Sequence, residues 1–180
     1  MLTVLVIDES RARAGEICAG LALAGYQVAA ILAGADNLTA EVERLQPDVI
    51  LIDTDSPSRD TLENLAAMNK DMPRPVVIFT QEDGRETIRD AVRAGVSAYV
   101  VDGLDPKRIK PIVEVARARF EDTQALHREL DEISQKLTDR KLVDKAKGVL
   151  MKARGLDEEA AYHAMRKLAM ERGQTMAKVA

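Results

Sequence analysis

The sequence predicts a doubly wound α/β domain, followed by one long helix and a small helical module. Short apolar strands alternate with helix-length segments through residues 1–106. Strands that are apolar on both faces belong in a parallel sheet that helices cover on both sides. Residues 112–147 then contain neither Gly nor Pro, which predicts a helix far longer than is typical of globular domains. The five predicted strands are Thr3–Ile7, Val28–Leu32, Val49–Ile52, Val76–Phe79 and Ala98–Val101.

The charge of the chain is divided between its two ends. The 180 residues carry a net charge of −4. Residues 1–106 hold 18 acidic and 9 basic residues, a net charge of −9, whereas residues 140–180 hold 10 basic and 5 acidic residues, a net charge of +5. A basic module on an acidic chain predicts a polyanionic partner for that module.

Several classes of protein are excluded by composition. The single cysteine, Cys18, excludes a disulfide framework and a cysteine-based zinc site. No apolar run reaches the roughly 18–20 residues that span a bilayer, and the N-terminus does not have the pattern of a signal peptide. We therefore expect a cytoplasmic protein without membrane contact. An enzyme has little support, because His127 and His163 lie on predicted helices with no nucleophile pattern nearby.

Polar side chains follow three of the predicted strands. Asp8 and Glu9 end the first strand, Asp53 ends the third and Thr80 ends the fourth. The carboxyl ends of parallel strands form the ligand-binding edge of such a sheet. Converging carboxylates predict a hard cation such as Mg²⁺, beside which Asp53 is a candidate phosphoryl acceptor. The alternative is that these carboxylates only cap strand-to-helix turns.

Four stretches make the first part of the chain resemble a response-regulator receiver domain, over roughly residues 2–118: VLVIDES, PDVILIDTDSP, VVIFT and AGVSAYVV. The resemblance implies a five-stranded parallel sheet in the order 2-1-3-4-5 and a receiver domain over residues 1–118. It also implies that Asp8, Glu9 and Asp53 bind Mg²⁺, that Asp53 is the phospho-acceptor and that Thr80 contacts the phosphoryl group.

Two positions depart from the receiver pattern. Glu9 stands where the family has an Asp ligand, and Asp102 stands where it has a Lys that pairs with the phosphoryl group. At about 4 Å and an effective dielectric near 20, replacing an attractive lysine by a repulsive aspartate makes the electrostatic energy of a phosphoryl group less favourable by several kcal/mol. We therefore expect a receiver that works without phosphorylation, with Asp53 in a vestigial or binding role.

The connector, residues 119–139, carries about two heptads of coiled-coil pattern. The pattern predicts a homodimer; the alternative is that this apolar stripe packs on its own chain. The predicted dimerisation residues are Leu126, Leu130, Ile133 and Leu137.

The basic end predicts three short helices: Lys141–Ala153, Asp157–Arg172 and one that begins near Thr175. RKLVDKAKGVLMKARGLDEEAAYHAMRKLAMERGQTMAKVA is similar to the ANTAR module of the AmiR/NasR transcription antiterminators, a three-helix RNA-binding unit. We expect an ANTAR domain over residues 140–180 with a short or incomplete third helix. For Gly148 we expect a close helix crossing rather than approach by a base. For Lys141, Lys145 and Lys152 the alternative is a solvated helix face, whereas the resemblance favours RNA contact for Lys147 and Arg166. The predicted RNA-binding residues are Lys141, Lys145, Lys147, Gly148 and Arg166.

The combined resemblance implies an antiterminator that binds paired stem-loops in leader RNA. The arrangement of the whole chain most resembles that of nitrate- and nitrite-responsive antiterminators. In those systems a ligand-sensing inhibitory partner protein controls the antiterminator. The alternative is a phosphorylation-controlled DNA-binding response regulator. Only about 40 residues follow the connector, without a clear recognition-helix turn, which argues against that alternative.

Overall fold

The sheet has five parallel strands in the order β2-β1-β3-β4-β5, which confirms the predicted fold class. The computed structural model describes the backbone of residues 1–180 and every side chain except those of residues 11 and 12. The strands end within one residue of their predicted limits. They are β1 (Thr3–Asp8), β2 (Gln27–Leu32), β3 (Val49–Asp53), β4 (Val76–Thr80) and β5 (Ala98–Val101).

Seven helices accompany the strands. The chain divides into two compact units, residues 1–123 and 124–180. None of the helices among the described residues is long and apolar enough to cross a membrane. The helices are α1 (Arg11–Leu23), α2 (Leu38–Leu45), α3 (Arg59–Asp71), α4 (Arg85–Arg93), α5 (Pro106–Arg154), α6 (Glu158–Arg172) and α7 (Met176–Val179).

The central strands send alternate side chains into two separate cores. On β3, Ile50 and Ile52 join the core that α2, α3 and α4 cover, whereas Val49 and Leu51 join the core that α1 and the first turns of α5 cover. All five residues of β3 are buried, and so are all five of β4. Because both faces are covered, a polar residue that ends one of these strands is held at the edge of a rigid sheet.

Helix α5 is longer than we predict from the sequence. The prediction of a separate helix over Lys141–Ala153 is wrong, since one helix of 49 residues runs from Pro106 to Arg154. It continues through Pro111, although proline removes a backbone hydrogen bond inside a helix. Burial of Ile109 and Val113 against the sheet holds this segment in place.

The second unit is built on α6. Ala161, Met165 and Ala169 are buried at a spacing of four residues and form its apolar stripe. Asp157 caps the helix, because its Oδ1 accepts a hydrogen bond from the Ala160 amide at 2.7 Å. Gly173 ends it in the left-handed region, at φ 60°. Helix α7 then has only four residues.

Candidate functional sites: an acidic pocket and a basic helical surface

The carboxyl ends of β1, β3 and β4 bring together three of the residues singled out by the sequence. Asp8 and Asp53 are register partners on neighbouring strands, and Thr80 ends the next strand. Among the side chains that the structure describes, these three are the buried polar ones, with exposures of 4%, 8% and 1%. A domain that buries two carboxylates side by side at one sheet edge has to compensate their charge there.

Local hydrogen bonds satisfy part of this edge. The Ser10 amide donates to Asp8 Oδ1 at 2.7 Å, while Asp8 Oδ2 is buried and has no hydrogen-bond partner among the described residues. The Thr80 hydroxyl donates to the Asp55 carbonyl at 2.9 Å and accepts from the Glu82 amide at 3.1 Å. The hydroxyl of Thr80 therefore closes a turn in this conformation, and its contact with a phosphoryl group stays a prediction.

Arg13 is the functional residue that sequence reasoning missed. Its guanidinium lies 3.6 Å from Asp8 Oδ1, 3.7 Å from Asp53 Oδ2 and 2.8 Å from Asp55 Oδ1. Arg13 stands in the first turn of α1, and the signal in the sequence is a basic residue five positions after the acidic end of β1. The acidic pocket thus contains a cation supplied by the chain itself.

Burial and charge act in opposite directions on Asp53. Burial raises the pKa of Asp53 above its ordinary value, the Arg13 guanidinium lowers it, and the neighbouring carboxylates of Asp8 and Asp55 raise it further. The pKa of Arg13 is itself raised, chiefly by its hydrogen bond to Asp55. Arg13 is therefore charged at any physiological pH, and its charge favours the ionised form of Asp53.

The pocket offers two buried carboxylates to a divalent cation. The oxygen donors of Asp8 and Asp53 suit Mg²⁺, and the unpartnered Asp8 Oδ2 is an oxygen that a cation would satisfy. Glu9, the third predicted ligand, is exposed. Among the described side chains, no group of three His, Cys, Asp or Glu is arranged to hold a metal. Mg²⁺ binding by Asp8, Glu9 and Asp53 stays a prediction.

Asp102 lies in the same pocket as Asp53. A cavity of about 230 Å³ is lined by Asp53, Asp102, Arg13 and Gln81, among others. Asp102 follows β5 in the left-handed region, at φ 74°, a conformation that Asp tolerates better than most residues. An anion therefore stands on the rim of this cavity where the receiver pattern has a lysine.

The cationic residues of the basic module fall into two groups. Lys141, Lys145 and Arg166 are exposed. Lys147 has a side chain only 17% exposed, and its Nζ lies 2.7 Å from Glu158 and 3.1 Å from Asp144. The hydrogen bonds that its ammonium group donates to Glu158 and Asp144 raise the pKa of Lys147, the one to Glu158 most. In this conformation Lys147 ties α5 to α6.

Gly148 has no packing partner. A Cβ added there meets nothing within 4 Å outside its own turn of helix. The expectation of a close helix crossing at Gly148 is therefore wrong: among the described residues, no other element approaches this position. The surface at Gly148 is open.

The predicted dimerisation residues form an exposed apolar seam on α5. Leu126, Leu130, Ile133 and Leu137 are between 48% and 63% exposed. Earlier in the helix, Ile109 and Ala116 are fully buried in the first unit. The exposure of the seam argues against the alternative in which it packs on its own chain.

The fold and the buried carboxylates are those of a receiver-type signalling domain, and comparison with family models agrees. Residues 4–114 match the response regulator receiver domain, and residues 131–180 match the ANTAR domain. The chain belongs to the response regulators that join a receiver domain to an ANTAR domain.

Two relatives of this chain are regulatory proteins, and one solved structure shares the receiver fold. It is 30% identical over 156 residues to the transcriptional regulatory protein PdtaR of Mycobacterium tuberculosis, covering 87% of this chain and 76% of the relative. It is 38% identical over 79 residues to the nitrate regulatory protein of Klebsiella oxytoca, covering 44% of this chain and 20% of that protein. A CheY-like receiver domain protein from Methanospirillum hungatei superposes with a TM-score of 0.59 at 22% identity, covering 68% of this chain and 98% of that one, which shows the shared fold.

Proposed function

We propose that this response regulator binds stem-loops in leader RNA through its ANTAR domain and controls transcription by antitermination. The observation that carries the proposal is the match of residues 131–180 to the ANTAR domain, a region that includes the basic module. The net charge of +5 over residues 140–180 provides the electrostatic attraction that a nucleic-acid backbone requires.

One face of α5 is suited to approach by RNA. Lys141, Lys145 and Gly148 are separated by four and three residues, so they lie on the same side of the helix. Because no side chain covers Gly148, a nucleotide can come closer to the helix there than at any residue with a Cβ. Two lysines beside this opening supply contacts to phosphates.

Lys147 takes part in the proposed interface only after its ion pairs are broken. An RNA phosphate has to replace Glu158 and Asp144 as the partner of its ammonium group. We therefore assign the first contacts with RNA to the exposed Lys141, Lys145 and Arg166, and a later contact to Lys147.

A homodimer through the exposed seam of α5 explains why paired stem-loops suit this chain. Leu126, Leu130, Ile133 and Leu137 repeat at the spacing of a coiled coil and are exposed in the single chain. A dimer carries two ANTAR domains, and two linked sites gain effective concentration on an RNA with two stem-loops.

Binding to an RNA with two adjacent stem-loops tests the proposal. In a gel-shift titration, we expect mutation of either loop to reduce the affinity by about 100-fold, because each loss removes one of two linked sites. Duplex DNA of equal length and charge serves as the competitor. Equal competition by duplex DNA would favour a DNA-binding response regulator instead.

We further propose that a ligand-sensing inhibitory partner, rather than phosphorylation, controls RNA binding, and that nitrate or nitrite is the ligand. In the same titration, a nitrate/nitrite sensor protein is expected to abolish the shifted band and nitrate to restore it. Acetyl phosphate with Mg²⁺ is expected to leave the RNA affinity unchanged, because Asp102 repels an anion beside Asp53. Stoichiometric phosphorylation of Asp53 together with tighter RNA binding would contradict this mode of control.

A further inference from the structure

We propose that Arg13 is a built-in counter-ion of the acidic pocket, which balances its carboxylates without a metal and which Mg²⁺ has to displace. The guanidinium is within 4 Å of three carboxylates that belong to two different strand ends, those of Asp8, Asp53 and Asp55. This inference concerns the receiver domain alone and does not rest on the proposed RNA binding.

The contacts of Arg13 are those of a replaceable cation. Among the described side chains, only Asp55, at 2.8 Å, accepts a hydrogen bond from it, while the distances of 3.6 and 3.7 Å to Asp8 and Asp53 are too long for hydrogen bonds. Arg13 Nε and Asp8 Oδ2 are both buried, and neither has a hydrogen-bond partner in the part of the chain that the structure describes. Charge compensation is thus provided without the full set of hydrogen bonds that a permanent buried ion pair needs.

Mg²⁺ and Arg13 compete for the same two carboxylate groups, those of Asp8 and Asp53. Mg²⁺ requires oxygen ligands at about 2.0–2.1 Å, a distance at which no guanidinium can remain between it and the carboxylates. The side chain of Arg13 is 41% exposed, which leaves it a path out of the pocket towards solvent. Arg13 has to move away before Mg²⁺ binds. The free energy required for that movement lowers the apparent affinity for Mg²⁺.

Removal of Arg13 is therefore expected to act in opposite directions on the stability of the metal-free protein and on its affinity for Mg²⁺. Without its charge, Asp8 and Asp53 repel each other, and the metal-free receiver loses stability. The same repulsion draws in a divalent cation. Arg13→Gln is thus expected to weaken the metal-free protein and to strengthen Mg²⁺ binding at the same time.

Calorimetric titration of the full chain with MgCl₂ tests the proposal. We expect Arg13→Gln to bind Mg²⁺ about tenfold more tightly than wild type and to gain more in melting temperature on adding Mg²⁺. Arg13→Lys keeps the charge but loses the forked geometry, so its Mg²⁺ affinity is expected to lie between those of wild type and Arg13→Gln. The double variant that combines Asp8→Asn with Arg13→Gln is expected to lose this gain in Mg²⁺ affinity.

A matched control removes one positive charge elsewhere on the domain. Arg44→Gln on α2, which is paired with Glu41 outside the pocket, is expected to bind Mg²⁺ like wild type. The proposal is overturned if Arg13→Gln and wild type have equal affinities, if Arg44→Gln gains as much as Arg13→Gln, or if the gain survives Asp8→Asn. Should Arg13→Gln fail to fold, Arg13→Lys decides the question by the same comparison.

Discussion

Replacement of Arg166 by alanine is expected to weaken binding to stem-loop RNA by about 10- to 100-fold at physiological salt. Arg166 is exposed on α6, next to the buried Met165 that packs the helix, so its truncation removes charge without removing core. If the side chain contacts a phosphate, the slope of log K against log salt also falls by about one. Gel-shift or anisotropy titration at several salt concentrations measures both quantities.

The neighbouring Lys167 provides the control for Arg166. It is also exposed and cationic, but it points to a different side of α6 and lies 4.0 Å from Glu171. Lys167→Ala is expected to change RNA affinity by less than about threefold, since it removes only diffuse charge. If Arg166→Ala and Lys167→Ala behave alike, Arg166 is not a specific contact and the assignment fails.

The same titration separates two roles of Lys147. Lys147→Ala is expected to abolish RNA binding if the ammonium group contacts RNA, but it also removes the link from α5 to α6. Glu158→Gln loosens that link while keeping the lysine, so it is expected to raise RNA affinity. Unchanged affinity in Glu158→Gln, with loss of thermal stability in Lys147→Ala, would leave Lys147 with a structural role only.

Leu130→Asp is expected to convert the proposed dimer to a monomer and to reduce the affinity for RNA with two stem-loops by about 100-fold. In the single chain Leu130 is 63% exposed, so the substitution does not disturb the fold of either unit. In a coiled-coil interface the aspartate is desolvated without a partner, which costs several kcal/mol. Affinity for a single stem-loop is expected to stay at the wild-type value.

Sedimentation velocity provides the direct measurement of this effect. Thr138→Asp is the matched control, because it adds the same charge at an exposed position on the outer side of the heptad pattern. It is expected to leave the dimer intact. An unchanged sedimentation coefficient for Leu130→Asp would exclude this seam as the interface.

The sheet and its polar edge could be predicted because the strands are short apolar runs and three of them end in a polar residue. Asp8, Asp53 and Thr80 follow from that pattern, and the structure brings all three to one edge. Arg13 could not be predicted in the same way. Its effect depends on where a flexible side chain is placed in space, and the sequence around it shows only a basic residue in the first turn of a helix.

In the basic module, too, some features could be predicted from the sequence and others could not. The cap at Asp157 follows from residue type, because Asp is favoured at the N-cap, where its side chain accepts a hydrogen bond from the Ala160 amide. The ion pair of Lys147 with Glu158 joins residues eleven positions apart on two helices, so no helical spacing predicts it. The continuity of α5 was missed because propensity disfavours Pro111 and Gly148, whereas the surrounding turns hold the helix together.

The continuity of α5 lowers the conformational entropy that formation of the proposed dimer has to overcome. An isolated helical segment as short as the seam is marginal in water, because its first turn is entropically expensive to form. In this chain the turn that contains Ile109 and Val113 is already fixed by the receiver core, so the helix only has to propagate onward to Leu126 and beyond. The seam is therefore ordered before a partner arrives. Association then loses less conformational entropy than coupled folding and binding would, which favours a dimer from only two heptads.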